Sequence, residues 1–132
     1  MKAAAAALAL VLAGCAAAPP LACAPDERAG EVAQLFFGRN VGDEIGVSAA
    51  DFEAFLDAEV TPRFPDGLTQ VAASGRWRGA DGEVRREPSF LVVIAAEGRV
   101  DRGRLGEVRE AYRRTFSQDA VLQLTSPACM TY

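Results

Sequence analysis

The chain has 132 residues, 50 % of them hydrophobic and 24 % charged, with three Cys, no His and a formal net charge of −4. That length holds one domain, the composition is globular rather than disordered or multi-span membrane, and the acidic balance carries no basic nucleic-acid footprint. Without His there is no imidazole base and no His-containing metal site, which removes Ser-His and Cys-His catalysis and most zinc chemistry.

The N-terminus reads as an address. Met1-Lys2 supplies one positive charge, and Ala3 to Ala13 is an unbroken apolar run, of signal-peptide length and short of the roughly 20 residues a bilayer span needs. Leu12-Ala13-Gly14-Cys15 closes the run and resembles a bacterial lipobox. The resemblance implies diacylation of the Cys15 thiol, cleavage before it and acylation of the new amino group. Conventional secretion with cleavage near Ala16-Ala17-Ala18 is the alternative, and Pro19 fits it poorly.

On the lipidated reading, residues 1–14 are a lipoprotein signal peptide, 15–30 are the lipidated Cys with an Ala/Pro-rich tether, and 31–132 are the folded domain. The domain is then exported and held at the cell envelope by its acyl chains, facing the periplasm or the cell surface. Its first expected partner is the membrane. Cys23 and Cys129 remain as a pair, which in an exported protein points to a disulfide; two free thiols are the alternative. Neither lies in a C-x-x-C pattern, so no redox role is expected.

Val32 to Phe37 is a short apolar, aromatic run ended by Gly38, suited to a buried strand. Arg39 to Gly46 reads as a loop. Ser48 then caps a helix, with Asp51 completing a capping box, Val47 stapling onto Phe52, and Phe52, Phe55, Leu56 and Val60 on one face. Thr61-Pro62 ends it, because the residue before proline is pushed out of the α region.

Leu68 to Arg78 and Val84 to Ala96 read as two strands around Gly79-Ala80-Asp81-Gly82, whose glycines allow positive φ. Pro88 cannot donate a ladder hydrogen bond, so pairing should break or start anew around it. Asp101 caps a second helix with Val100 facing Leu105. Its apolar stripe is Leu105, Val108, Tyr112 and Phe116, and Glu110 pairs with Arg114. Val121 to Thr125 makes a last strand.

The order β-α-β-β-α-β is the split βαβ, ferredoxin-like α+β arrangement, a single domain with an antiparallel sheet and two helices on one face. Right-handed crossovers set the first and third strands in the centre and the last beside the first. Cys129 then emerges where the tether enters, and the stretch from Cys23 to Glu31 spans about 26 Å if extended. The central strands are apolar on both sides, so something should cover the open sheet face: a homodimer, a lipid-like ligand or a protein partner. Gln123 and Thr125 are expected to make the last strand polar there.

With these elements placed, the chain resembles a bacterial family known as domain of unknown function 3574. The resemblance rests on Leu35-Phe36-Phe37-Gly38, on the run from Phe55 to Thr69, on Gly75-Arg76-Trp77-Arg78, on Arg86-Glu87-Pro88-Ser89 and on Ser126-Pro127-Ala128-Cys129. It implies small exported or lipid-anchored proteins and brings no established activity.

Two clusters carry candidate chemistry. In the hairpin, Arg76, Arg78 and Arg85 surround Trp77. With Arg78 opposite Glu83, Arg76 falls opposite Arg85 and Trp77 opposite Val84, and the two guanidiniums form an anion or carboxylate site; the bland alternative is a solvated face neutralised by Glu83 and Glu87. Glu59, Arg63 and Asp66 cluster at the Thr-Pro-Arg-Phe-Pro-Asp-Gly turn, as an acid/base pair or, in the reading we favour, a rigid structural turn. Tyr112 reads as core. No metal or cofactor motif is present.

The first functional expectation is therefore an exported, lipid-anchored binding or interaction domain that needs no cofactor. The second is a small metal-independent enzyme on a dimeric ferredoxin-like scaffold, with a closed pocket lined by Arg76, Arg78, Trp77 and Tyr112.

Overall fold

The computed structural model of the protein describes residues 22–132; the lipobox, Cys15 and the first part of the tether lie outside the described residues. In chain order the elements are β1 (Arg28–Gly38), β2 (Asn40–Val41), β3 (Glu44–Ile45), α1 (Ala49–Phe55) running into a π-helical turn (Leu56–Val60), β4 (Thr69–Arg78), β5 (Val84–Glu97), α2 (Arg102–Phe116) and β6 (Leu122–Met130). The main sheet is antiparallel in the order β4-β5-β1-β6, which is the expected ferredoxin-like arrangement. The small β2–β3 hairpin occupies what reads as loop in the sequence. Among the described residues, no helix is long and apolar enough to cross a membrane.

Strand register decides what is core. Ala33 lies opposite Ile94, Leu35 opposite Val92 and Phe37 opposite Phe90, so these six share the helix-covered face and are all buried. The helices close over them with Phe52, Phe55, Val60, Leu105, Val108 and Tyr112. Phe52 stacks on Phe90 at 4.3 Å between centroids, and Phe37 meets Tyr112 edge-on at 4.7 Å, geometries that favour aromatic pairs beyond the area they bury.

The helix starts follow their sequence signals. Ser48 Oγ accepts from the Asp51 N–H at 3.0 Å while Asp51 Oδ2 accepts from the Ser48 N–H at 3.1 Å, a complete capping box, and Val47 and Phe52 are both buried in the core. Asp101 Oδ1 accepts from the Arg104 N–H at 3.0 Å. On α2, Glu110 pairs with Arg113 at 2.8 Å rather than with Arg114, the i,i+3 neighbour serving as well as i,i+4.

Proline effects need two corrections. Thr61 keeps right-handed helical angles before Pro62, so it is not pushed out of the α region. The helix stops because the ladder has already widened to Thr61 N–H→Leu56 O at 2.8 Å and Pro62 has no N–H to continue it. Pro88 does not interrupt β5, which pairs with β4 straight through it, Ser74 opposite Pro88. What ends there is the pairing with β1. The Arg39 N–H donates to Pro88 O at 3.1 Å, Pro88 cannot return the bond, and the Arg39 carbonyl instead accepts from the Gly46 and Val47 N–H groups.

β6 runs well past Thr125, through Pro127, to Met130. As an edge strand it tolerates proline. Ala29 lies opposite Cys129, so the segment entering β1 passes the end of β6. Cys23 and Cys129 are disulfide-bonded there, with Cα atoms 5.5 Å apart and a sequence separation of 106.

Candidate functional site

The β4–β5 hairpin sits one position off the expected register. Arg78 pairs with Val84, Trp77 with Arg85 and Arg76 with Arg86. The loop takes in Glu83: Gly79 N–H donates to Glu83 O and Gly82 N–H to Gly79 O, both at 2.9 Å, with Gly82 at φ 85°. Because side chains alternate, that one-residue shift changes every cross-strand neighbour. Arg76 therefore opposes Arg86, not Arg85, and Trp77 shares the open face with Arg85 and Glu87.

The arginines have different fates. Arg85 grips Asp81 bidentately, at 2.9 and 2.6 Å, and its guanidinium lies 5.4 Å from the Trp77 ring centroid. That hydrogen bonding, joined by the Glu83 N–H, holds the Asp81 carboxyl well below its ordinary range, at about 2. Arg78 donates to Gly82 O at 2.9 Å. Arg76 and Arg86 form no ion pair among the described residues. The Gly79–Glu83 bond marks one hydrogen-bonded pair, so alternation makes 76/86 and 74/88 the closer, non-bonded pairs of this ladder.

Beyond Ser89, which lies opposite the last residue of β1, the hairpin projects past the sheet as a two-stranded arm. Between the arm, the β2–β3 hairpin and residues 117–120 lies a cleft of about 1160 Å³, floored by Phe36, Gly38 and Leu122. Its walls are tied together. The Asn40 N–H donates to Glu87 Oε1 at 3.0 Å and Gln118 Nε2 donates to the Asn40 carbonyl at 2.8 Å. A Cβ on Gly38 would meet the Glu87 carboxylate, which would have to swing aside from the Asn40 N–H it accepts from. Asn40 Oδ1 is buried without a partner.

Tyr112 supports this floor from below without lining it. Its hydroxyl donates to Gly38 O at 2.7 Å and the residue is fully buried; burial, with the Glu87 charge adding, pushes its pKa far up. The structure thus brings Arg76 and Trp77 to an open cleft, places Arg78 on its own loop and puts Tyr112 in the core.

Glu59 and Arg63 form a structural tie. Arg63 contacts Glu59 Oε2 and Glu107 Oε2, each at 2.9 Å, and its carbonyl accepts from Arg104 at 3.0 Å, so the turn is bolted to α2. The Glu107 hydrogen bond, chiefly, raises the Arg63 pKa. Asp66 joins no ion pair among the described residues. Cys23, Glu27 and Cys129 lie close enough to suggest a metal cluster, but the two sulfurs are bonded to each other.

The open face is more apolar than expected. Gln123 and Thr125 oppose Leu35 and Ala33 and so point to the helix side, where Gln123 Oε1 accepts from Arg109 at 3.1 Å. Leu122 and Leu124 take the open face, 57 % and 49 % exposed, alongside Val71 at 46 %.

Asn40, Asp43, Glu87, Gln118 and Asp119 are cleft residues that sequence reading did not single out as site residues. Only the loop composition around Asn40 hinted at any of them.

Solved structures share this fold. A phage SAM lyase in complex with S-methyl-5'-thioadenosine is similar with a TM-score of 0.59 and 17 % identity, over 87 % of this chain and 97 % of that one. A phage SAM lyase in the apo state is similar with a TM-score of 0.53 and 19 % identity, over 79 % of this chain and 90 % of that one. No curated relative matches. Residues 32–132 match the model described as Protein of unknown function (DUF3574), and the chain belongs to that family.

Proposed function

We propose that this protein is an exported, lipid-anchored binding domain whose ligand sits in the cleft beside Trp77. The observation that carries the reading is the cleft itself. At about 1160 Å³ it is at the upper end of small-molecule sites, its walls are held by Glu87, Asn40 and Gln118, and the Trp77 side chain stands 51 % exposed at its rim. The lipobox at Cys15 supports anchoring, and the Cys23–Cys129 bond suits an oxidising compartment. That the phage SAM lyase of similar fold holds S-methyl-5'-thioadenosine supports ligand binding on such a scaffold.

Binding rather than catalysis is favoured because two carboxylates of the arm, Asp81 and Glu87, are already engaged while Arg76 and Arg86 form no ion pair among the described residues. Asp81 is held by Arg85, and Glu87 by the Asn40 N–H. Trp77 is the sole Trp, so its emission reports on the cleft. In the detergent-solubilised full chain we expect a saturable emission shift with S-methyl-5'-thioadenosine or with at least one low-molecular-weight fraction of cell-envelope extract. Emission unmoved by every fraction overturns the reading. Anchoring is tested by palmitate-analogue labelling, which Cys15→Ser should abolish.

Leu122, Leu124 and Val71 favour a second reading, self-association through the open face. Sedimentation of the Cys15→Ser chain checks it: a dimer is expected that Leu124→Glu dissociates, and a clean wild-type monomer at high concentration removes it.

A further inference from the structure

We infer that the cleft takes a short extended peptide, bound as an added strand where β1 stops; this rests on the reading of the cleft as a ligand site. The residues of β5 from Val84 to Glu87 have β4 on one side only, because β1 ends opposite Ser89 and the last bond on that side is at Pro88. Within a strand, the N–H and C=O of one residue point the same way, and alternate residues point to opposite edges. The Pro88 carbonyl faces the β1 side, where it accepts from Arg39. Arg86, two residues before it, therefore turns its backbone N–H and C=O to the same side, and that side is the cleft it lines. Its pairing with Arg76 is of the non-bonded kind, so β4 uses neither group.

An unpaired strand edge recognises another backbone, and side-chain contacts then select among sequences. The cleft has the chemistry for this. Its volume, about 1160 Å³, exceeds what most drug-sized ligands need. Trp77 offers an apolar surface for a side chain. Both signs line the cleft, and on the arm Asp81 and Glu87 are already held by Arg85 and by the Asn40 N–H. Arg76 and Arg86 stand on the arm, like charges directly opposed and relieved by a bound carboxylate. Asp43 and Asp119 stand on the two facing segments. A short peptide with free termini meets both signs.

The Arg86 edge can be tested without disturbing the fold. Arg86→Pro deletes the one N–H in question at a position that donates nothing to β4, as native Pro88 already does. Binding of Ala-Ala-Leu-Ala-Ala to the full chain is followed by Trp77 emission and by calorimetry, beside the same peptide N-methylated at its central residue. We expect about tenfold or greater weakening from Arg86→Pro and from N-methylation, and only a few-fold weakening from Arg86→Ala or from capping the peptide termini. Should Arg86→Pro fail to fold, the N-methyl peptide makes the same test on the wild-type chain.

If the N-methylated and parent peptides bind equally, or neither binds, strand addition is overturned. A non-peptide compound that shifts Trp77 emission when these peptides do not would leave the cleft standing as a site while removing the peptide. Peptide binding seen by calorimetry with Trp77 emission unmoved would remove both.

Discussion

The two faces of one sheet differ in how their apolar residues are used. On the helix side, alternate residues of β1 and β5, Ala33, Leu35, Phe37, Phe90, Val92 and Ile94, are sealed under α1 and α2. On the other side Val32, Phe36, Leu91 and Val93 are only half-buried, and Val71, Leu122 and Leu124 are exposed. The same strands supply both sets, so propensity does not separate them. Coverage does. One face holds the fold together, and the other, with the cleft at its end, is free to meet something else.

The largest predicted effect lies at the end of the sheet remote from the cleft. The Cys23–Cys129 bond closes a loop whose ends are separated by 106 in sequence, for which the chain-entropy model assigns about 4–5 kcal/mol. The double variant Cys23→Ser/Cys129→Ser should lose roughly that much in chemical denaturation while leaving Trp77 emission of the folded state unchanged. A changed native emission would mean that the bond shapes the cleft end as well. Next is Phe37→Ala on the covered face. Phe37 is fully buried against Phe52, Phe55 and Tyr112, and deleting such a ring costs about 3–5 kcal/mol. A loss under about 1 kcal/mol would show that the covered face is not the one that stabilises the fold.

How far this division was legible depends on how local its signals were. The helix caps, the apolar stripes and the alternation in β1 and β5 are written within single segments, and they define the strand order and the covered face. The hairpin register was not readable, because Glu83 serves equally as loop or strand and one residue decides every pair from Trp77–Arg85 onward. In sequence β6 reads short because Ser126, Pro127 and Ala128 do not look like strand; its pairing to β1 overrides propensity. The ties of the cleft and of the turn join residues far apart in sequence, Asn40 with Glu87 and Gln118 in the cleft and Arg63 with Glu107 at the turn. No local pattern announces them.

Tyr112 sits where the two faces communicate, its ring in the core and its hydroxyl on the carbonyl of Gly38 in the cleft floor. Tyr112→Phe keeps the packing and leaves that carbonyl without its donor, which should cost about 1–2 kcal/mol. Thermal or urea unfolding measures it, and no change would place the hydroxyl outside the balance of the fold. Leu124→Ser on the open face should change stability by no more than about 0.5 kcal/mol, since the residue is already 49 % exposed. A loss several times larger in dilute solution would mean that this face is covered there after all.

The smallest predicted effect is confined to the arm. The Asp81 carboxyl lies at about 2 because Arg85 and the Glu83 N–H favour its charged form. A carboxyl with a depressed folded value keeps its full interaction above the ordinary value of 3.8 and loses it as pH falls through the folded value. Acid should therefore release Arg85 from Asp81 near pH 2, and with it the guanidinium held 5.4 Å from the Trp77 ring. Trp77 emission should show a step with a midpoint near 2 that Asp81→Asn removes, while far-ultraviolet circular dichroism follows unfolding separately. A step centred near 4 and indifferent to Asp81→Asn would assign it to another carboxylate of the cleft and deny that the Arg85–Asp81 grip sets the position of Trp77.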